Sequence, residues 1–226
     1  MLAETLHTSE IAKIFRKEIT SFGGKVFDCF DDGRRLFLRA LLPREDTVRP
    51  EDRVQGGVAL KAVDNQIQIY PYIFRIVCSN GAVMAHVLET RSIHLPKPKD
   101  DTIEEIRAAA RACTTPEAFS IGVAQMRSAL HAPGRESEKE VARLLELRDY
   151  TAPHGPDTWV KFVEAVLENS KEIGPSRFAV INAITSTARD TDDPELRWWL
   201  EELGGAVAAD QLSLNSTRSA AATSVA

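Results

Sequence analysis

The run Arg75-Ile-Val-Cys-Ser-Asn-Gly81 sets a guanidinium near the end of an apolar stretch and, five residues on, an amide beside a glycine. Strand-to-turn corners of this composition present backbone N–H groups and short polar side chains to ligands. The same Asn-Gly pair also suits a left-handed turn, and Arg75 suits an acid from another element. In the surrounding sequence Arg34, Arg35, Arg39, Lys61 and Arg91 are interspersed with Phe37, Tyr70, Tyr72 and Phe74. Cations mixed with rings on a sheet are how many single-strand binders hold phosphates and bases. The residues predicted to bind nucleic acid are therefore Arg34, Arg35, Arg39, Arg75 and Arg91 as phosphate contacts, with Asn80 positioning a backbone or base. An enzyme pocket lined by Arg75, Asn80 and His94 is the alternative chemistry for the same stretch.

Other chemistries find little to build on. There is no GxxxxGK[ST] phosphate loop, no GxGxxG, no HExxH and no GxSxG elbow. The five histidines are scattered, and none stands at ligand spacing from a cysteine or a second histidine. Three close carboxylates in Asp190-Thr-Asp-Asp-Pro-Glu195 suit a hard cation, but also the N-terminus of a helix, where unpaired N–H groups and the macrodipole favour acids. Capping is the stronger reading, and no catalytic residue, metal or cofactor is expected.

Composition sets the frame. The 226 residues are 43% hydrophobic and 27% charged, as in ordinary globular proteins, with length for one large domain or two small ones. No apolar run approaches the roughly 18 residues of a membrane span. The N-terminus does not read as a secretory signal, and three cysteines without a CxxC pair suit a reducing compartment, so a cytoplasmic protein with inert core thiols is expected. Charge is uneven: residues 1–99 hold 15 basic and 12 acidic side chains, and residues 100–226 hold 13 and 21. The sign changes at the Pro- and charge-rich run His94–Asp101. It predicts a boundary between an α+β sheet domain (1–98) and an α-helical domain (99–212), with a disordered tail (213–226).

Within the first part, Ile11, Ile14, Phe15 and Ile19 keep helical spacing, with Thr8 or Ser9 as cap and Gly23-Gly24 as the stop. Lys25–Phe30 and Arg35–Leu42 flank the turn Asp31–Arg34, and Gly57–Val63 and Gln66–Cys78 flank Asp64-Asn65, which predicts a mostly antiparallel sheet. Gln66, Gln68 and Tyr70 alternate with Ile67, Ile69 and Pro71, which predicts a polar, free face. Ala82–Glu89 reads as the start of a helix. Further helices are expected over Thr102–Cys113, Pro116–Leu130, Glu136–Leu147, Asp157–Asn169, Ser176–Arg189 and Pro194–Ala208. The last has Asp193 as cap, Pro194 at its first position and one of Trp198-Trp199 facing inward.

Phe22-Gly-Gly-Lys-Val-Phe27, Gly33-Arg-Arg-Leu-Phe-Leu-Arg-Ala40, Gly56-Gly-Val-Ala59 and Tyr72-Ile-Phe-Arg-Ile-Val-Cys-Ser-Asn-Gly81 resemble the phage- and plasmid-related proteins of domain-of-unknown-function family 932. Asn182–Asp190, Asp193–Trp198 and Leu203-Gly-Gly205 resemble their C-terminal region, so the likeness spans roughly Glu10 to Gly205. Members usually begin with additional sequence before the first helix, and this chain is short at that end. The resemblance implies a mobile-element context and no catalytic residues. The expected function is a non-enzymatic nucleic-acid-binding protein assisting replication, recombination or single-strand annealing, working as a homo-oligomer. The alternatives are an interaction or anti-defence factor that meets a protein partner through its acidic helical half, and an unrecognised enzyme.

Overall fold

The structure is a computed structural model and describes residues 6–85, 91–136, 139, 141–143, 168 and 174–211. In chain order the elements are α1 (Thr8–Ser21), β1 (Lys25–Asp31), β2 (Arg35–Arg49), β3 (Asp52–Val63), β4 (Gln66–Arg75), β5 (Asn80–Val83), β6 (Arg91–His94), α2 (Lys99–Cys113), α3 (Pro116–His131), α4 (Arg177–Arg189) and α5 (Pro194–Ala208). This is an α+β fold, an antiparallel sheet of N-terminal strands followed by C-terminal helices.

Local chemistry accounts for the succession. Ile11, Ala12, Phe15 and Ile19 put one apolar stripe of α1 into the core, and the helix stops where Gly23 takes φ 73°. Its cap is His7, not Thr8 or Ser9. The His7 N–H donates to Glu10 Oε2 at 3.1 Å, while the Thr8 hydroxyl donates to Asp31 Oδ1 at 2.8 Å and ties the start of α1 to the end of β1. In the β1–β2 turn Asp32 Oδ1 accepts from the Arg34 and Arg35 N–H groups at 3.0 and 2.7 Å, and Gly33 takes φ 83°. Asp64 and Ser79, both at positive φ, turn the chain before β4 and β5.

The strands lie in the order β1-β2-β3-β4-β5, and β6 pairs with the first half of β4. The second half of β4 pairs with β5, so Ala82 and Val83 are strand residues where a helix start is expected from sequence. The Arg75–Asn80 register explains it: after the turn at Ser79 the chain doubles straight back, and pairing overrides the helical tendency of the alanines.

Helices cover both faces. Leu36, Leu38, Leu60, Ile67, Ile69 and Ile93 meet α1 and α2. On the other face Arg39, Ala59 and Tyr70 stand in register, and α5 lies across them, its Trp198 fully buried among Phe37, Tyr70, Tyr72 and Val83. The face read as polar and free is thus covered over Tyr70. Polarity persists only toward its end, at the half-buried Gln66 and Gln68. At the far end Val48, Val54, Ile73 and Met84 pack with Val123 of α3, Ile181 and Ile184 of α4 and Leu203 of α5. Buried clusters therefore run across the predicted 98/99 boundary.

The helices of the second half follow the sequence reading closely, although α2 starts earlier, at Lys99. Asp193 caps α5, its Oδ1 accepting from the Glu195 and Leu196 N–H groups at 2.9 and 3.3 Å. The expected segments Glu136–Leu147 and Asp157–Asn169 and the tail lie largely or wholly outside the described residues. Of the cysteines only Cys113 is a core thiol; Cys78 is half-buried and Cys29 is exposed on β1.

Candidate nucleic-acid interface

Two of the five predicted phosphate-binding arginines are interior. Arg39 is 2% exposed, and its Nε lies 3.0 and 2.8 Å from the two carboxylate oxygens of Glu201 while its Nη1 meets Asp28 Oδ2 at 2.7 Å. Arg197 joins the same cluster, 3.2 Å from Asp28, and the Tyr72 hydroxyl lies 3.4 Å from Glu201 Oε1. Burial raises the pKa of the Glu201 carboxyl, against the pull of Arg39 and Arg197, and raises that of the Tyr72 hydroxyl further through the neighbouring carboxylate.

Arg75 is 6% exposed and grips Asp52 with two nitrogens, at 3.0 and 2.7 Å, while Nη1 donates to Asn182 of α4. Asn80 is 3% exposed and donates from Nδ2 to Thr185 Oγ1 at 2.9 Å. Arg39, Arg75 and Asn80 are therefore corrected from nucleic-acid contacts to ties between the sheet and α4 or α5. The physical reason is the second helical layer: α4 and α5 bring carboxylate, amide and hydroxyl groups onto strand positions that a strand pattern alone leaves facing solvent.

The other candidates divide. Arg35 is partly exposed, but its guanidinium is held by Asp32 at 2.9 and 2.8 Å and approached by Glu195 at 3.9 Å. Backbone N–H donors of the turn and this guanidinium lower the Asp32 carboxyl to about 2. Arg34 is exposed at the turn and has no ion pair among the described residues. It borders a cavity of about 430 Å³ with His7, Thr8, Asn65 and Leu95. Arg91 opens β6 opposite Ile69. His94 pairs with Gln66, at the opposite end of β4 from the Arg75–Asn80 pair, on the order of 30 Å away at the rise of a strand. Arg75, Asn80 and His94 consequently do not share a pocket.

A different set of cations comes together at the sheet edge. Lys13, Arg16 and Lys17 stand at i, i+3 and i+4 on the side of α1 opposite its buried stripe, and all three are exposed. The two acids of α1 are engaged elsewhere: Glu10 by Lys99 at 2.7 Å and Glu18 by Arg111 at 2.6 Å, both from α2. Lys13, Arg16, Lys17 and the exposed Lys25 have no ion pair among the described residues. The Thr8–Asp31 bond at one end and the Phe22–Gly24 link at the other lay α1 antiparallel to β1, so this stripe follows the direction of the edge strand on the outer side of the helix. Phe22, just after α1, and Phe27 of β1 are each 41% exposed, and the Phe27 ring lies on the other face of the sheet from α1, 5.3 Å from Phe74 and 6.4 Å from Tyr72. The signal for the stripe was in the sequence, as the cationic complement of the Ile11, Phe15, Ile19 periodicity.

The fold and this edge define a class in physical terms: an α+β protein whose sheet carries helices on both faces and whose first helix and edge strand hold, among the described residues, four exposed cations without an ion pair. No family model, curated protein or solved structure matches the chain. Among the described residues no group of His, Cys, Asp and Glu is placed to hold a metal ion, and no helix is long and apolar enough to cross a membrane.

Proposed function

We propose that this chain binds nucleic acid through the phosphate backbone, using Lys13, Arg16 and Lys17 of α1 together with Lys25. The observation that carries the reading is the sorting of charge: α1 keeps three cations free and exposed while its own acids are neutralised from α2. Unpaired cations in a row meet successive phosphates and release counterions, the main source of affinity for a polyanion. Arg34, at the far end of α1, extends the row, next to the acidic turn Asp31-Asp32.

The likeness to phage- and plasmid-related proteins supports placing such an activity in replication, recombination or annealing of a mobile element. Its quoted residues here are mostly structural: Arg75 grips Asp52 and Asn182, Asn80 binds Thr185, and Asp193 caps α5. A protein partner for the acidic half has less support, because several of its acids are already engaged: Glu201 with Arg39, Asp190 with Arg189 and Asp193 with the α5 backbone.

The test is binding of fluorescent DNA and RNA oligonucleotides across a salt series. With four cations each meeting one phosphate of a single strand, log K should fall against log salt with a slope of about −3, or about 50-fold between 50 and 200 mM. The variant Lys13→Glu/Arg16→Glu/Lys17→Glu should abolish binding and keep the thermal transition, since all three side chains are exposed. Binding unchanged in that variant, or absent from the native chain at low salt, would refute the reading.

A further inference from the structure

We infer that the cleft at the start of α1 binds a free α-amino acid with an apolar side chain, its carboxylate on Arg34 and its ammonium on Asp64. The inference rests on the cleft alone and holds with or without nucleic acid at the α1 stripe. β2 begins and β3 ends at the Arg35–Val63 pair, so Arg34 and Asp64 each stand one residue beyond it, at the same end of the sheet. Both are exposed, and both border the same open cavity of about 430 Å³. Neither side chain has an ion pair or a hydrogen bond among the described residues, although their charges are opposite. The other acids of the β1–β2 turn are engaged: Asp31 accepts from the Thr8 hydroxyl and the Gly33 N–H, and Asp32 holds Arg35. The apolar lining comes from Ile11 of α1, the cross-strand partners Ala62 and Ile67, and Leu95 after β6. The first three are buried and Leu95 is half-buried, so the cleft is apolar at depth and charged at its mouth.

The volume falls within the range of about 300 to 1,000 Å³ usual for small-molecule sites. A lone anion at Arg34 would meet the Asp64 carboxylate, and a lone cation at Asp64 would meet the guanidinium. A molecule that carries both charges on one carbon satisfies each group without repulsion, so the site selects by a penalty as well as by an attraction. An α-amino acid has that arrangement, and its side chain leaves the same carbon toward the apolar lining. The Arg34 guanidinium offers a planar fork of donors that matches a carboxylate. Removing the apolar side chain from water adds to the affinity.

The experiment titrates the full chain with leucine, with leucinamide, which lacks the carboxylate, and with isocaproate, which lacks the ammonium. Binding is followed by calorimetry and by the methyl resonances of Ile11, Ile67 and Leu95 in NMR spectra. The native chain is compared with Arg34→Gln, Asp64→Asn and the α1 triple variant. Both single substitutions fall on exposed side chains, and asparagine tolerates the left-handed φ of 53° at position 64. The expected result is that millimolar leucine moves the three sets of methyl resonances and that each analogue binds about tenfold more weakly. Arg34→Gln should cost about tenfold for leucine and erase its advantage over leucinamide, and Asp64→Asn should do the same with respect to isocaproate. The α1 triple variant, which keeps Arg34 and Asp64, should bind leucine as the native chain does. Methyl resonances that stay still at millimolar leucine, analogues that bind as tightly as leucine, or affinity unchanged in either single variant would overturn the inference. Leucine binding without oligonucleotide binding sinks the proposed function alone, and the reverse result sinks this inference alone.

Discussion

Arg39 shows how little a residue's type reveals about its duty. Its guanidinium and the Glu201 carboxylate are both 2% exposed, so each compensates a charge that burial would otherwise make very costly. Arg39→Met should therefore destabilise the protein by about 3 to 5 kcal/mol, since Glu201 loses its main buried partner. Adding Glu201→Leu should recover much of that loss, and urea unfolding of the two single variants and the double would measure the coupling. Asp32 gives a prediction in pH. Its folded pKa lies below the ordinary 3.8, at about 2, so the stability that it contributes is present above about pH 4 and is lost as pH falls toward 2. A carbon-detected titration should place the Asp32 midpoint near 2, and Asp32→Asn should flatten stability against pH in that window; a midpoint at 3.8 would mean that the turn does not hold its carboxylate as described. The candidate site was partly legible in sequence. Cations near rings marked the N-terminal part of the chain, but whether Arg39 and Arg75 faced water depended on α4 and α5, more than a hundred residues away.

Secondary-structure elements were read more securely, because α1, the β1–β2 hairpin and α5 each carry their own periodicity and punctuation. Asp193 and Pro194 announce the start of α5 by chemistry confined to a few residues, and Asp193→Ala should cost about 1 kcal/mol in thermal or urea unfolding. Ala82 and Val83 were misread because β5 is four residues long and owes its conformation to pairing with β4. The position of α5 over the sheet was equally hidden, since it depends on contact rather than on pattern. At Gly205 a Cβ atom would stand 2.0 Å from the Val83 carbonyl oxygen, so α5 reaches β5 only because that atom is missing. Gly205→Ala must push the helix off the strand and should destabilise the protein by about 3 kcal/mol, a loss that differential scanning calorimetry would register as a lower midpoint.

At the scale of the molecule, composition divides the chain into a basic half and an acidic half, while packing joins them. Arg39 with Glu201, Arg75 with Asn182 and Asn80 with Thr185 are all bonds across that divide, and the apolar clusters cross it as well. Thermal unfolding followed in the near-ultraviolet, where Trp198 reports α5, and in the far-ultraviolet should give coincident transitions, and a fragment of residues 1–98 should fail to form a cooperative sheet. Separate transitions would show that the halves are independent. The chain order of this packing bears on synthesis. The face that carries Phe37, Tyr70 and Tyr72 is complete once β4 has left the ribosome, but its cover, α5, ends only at Ala208. At about 5 to 20 residues per second the rings wait on the order of ten seconds for their cover, and Arg39, with Asp28 already in place, waits as long for Glu201. The nascent sheet is thus a transient client for whatever shields apolar surface during translation.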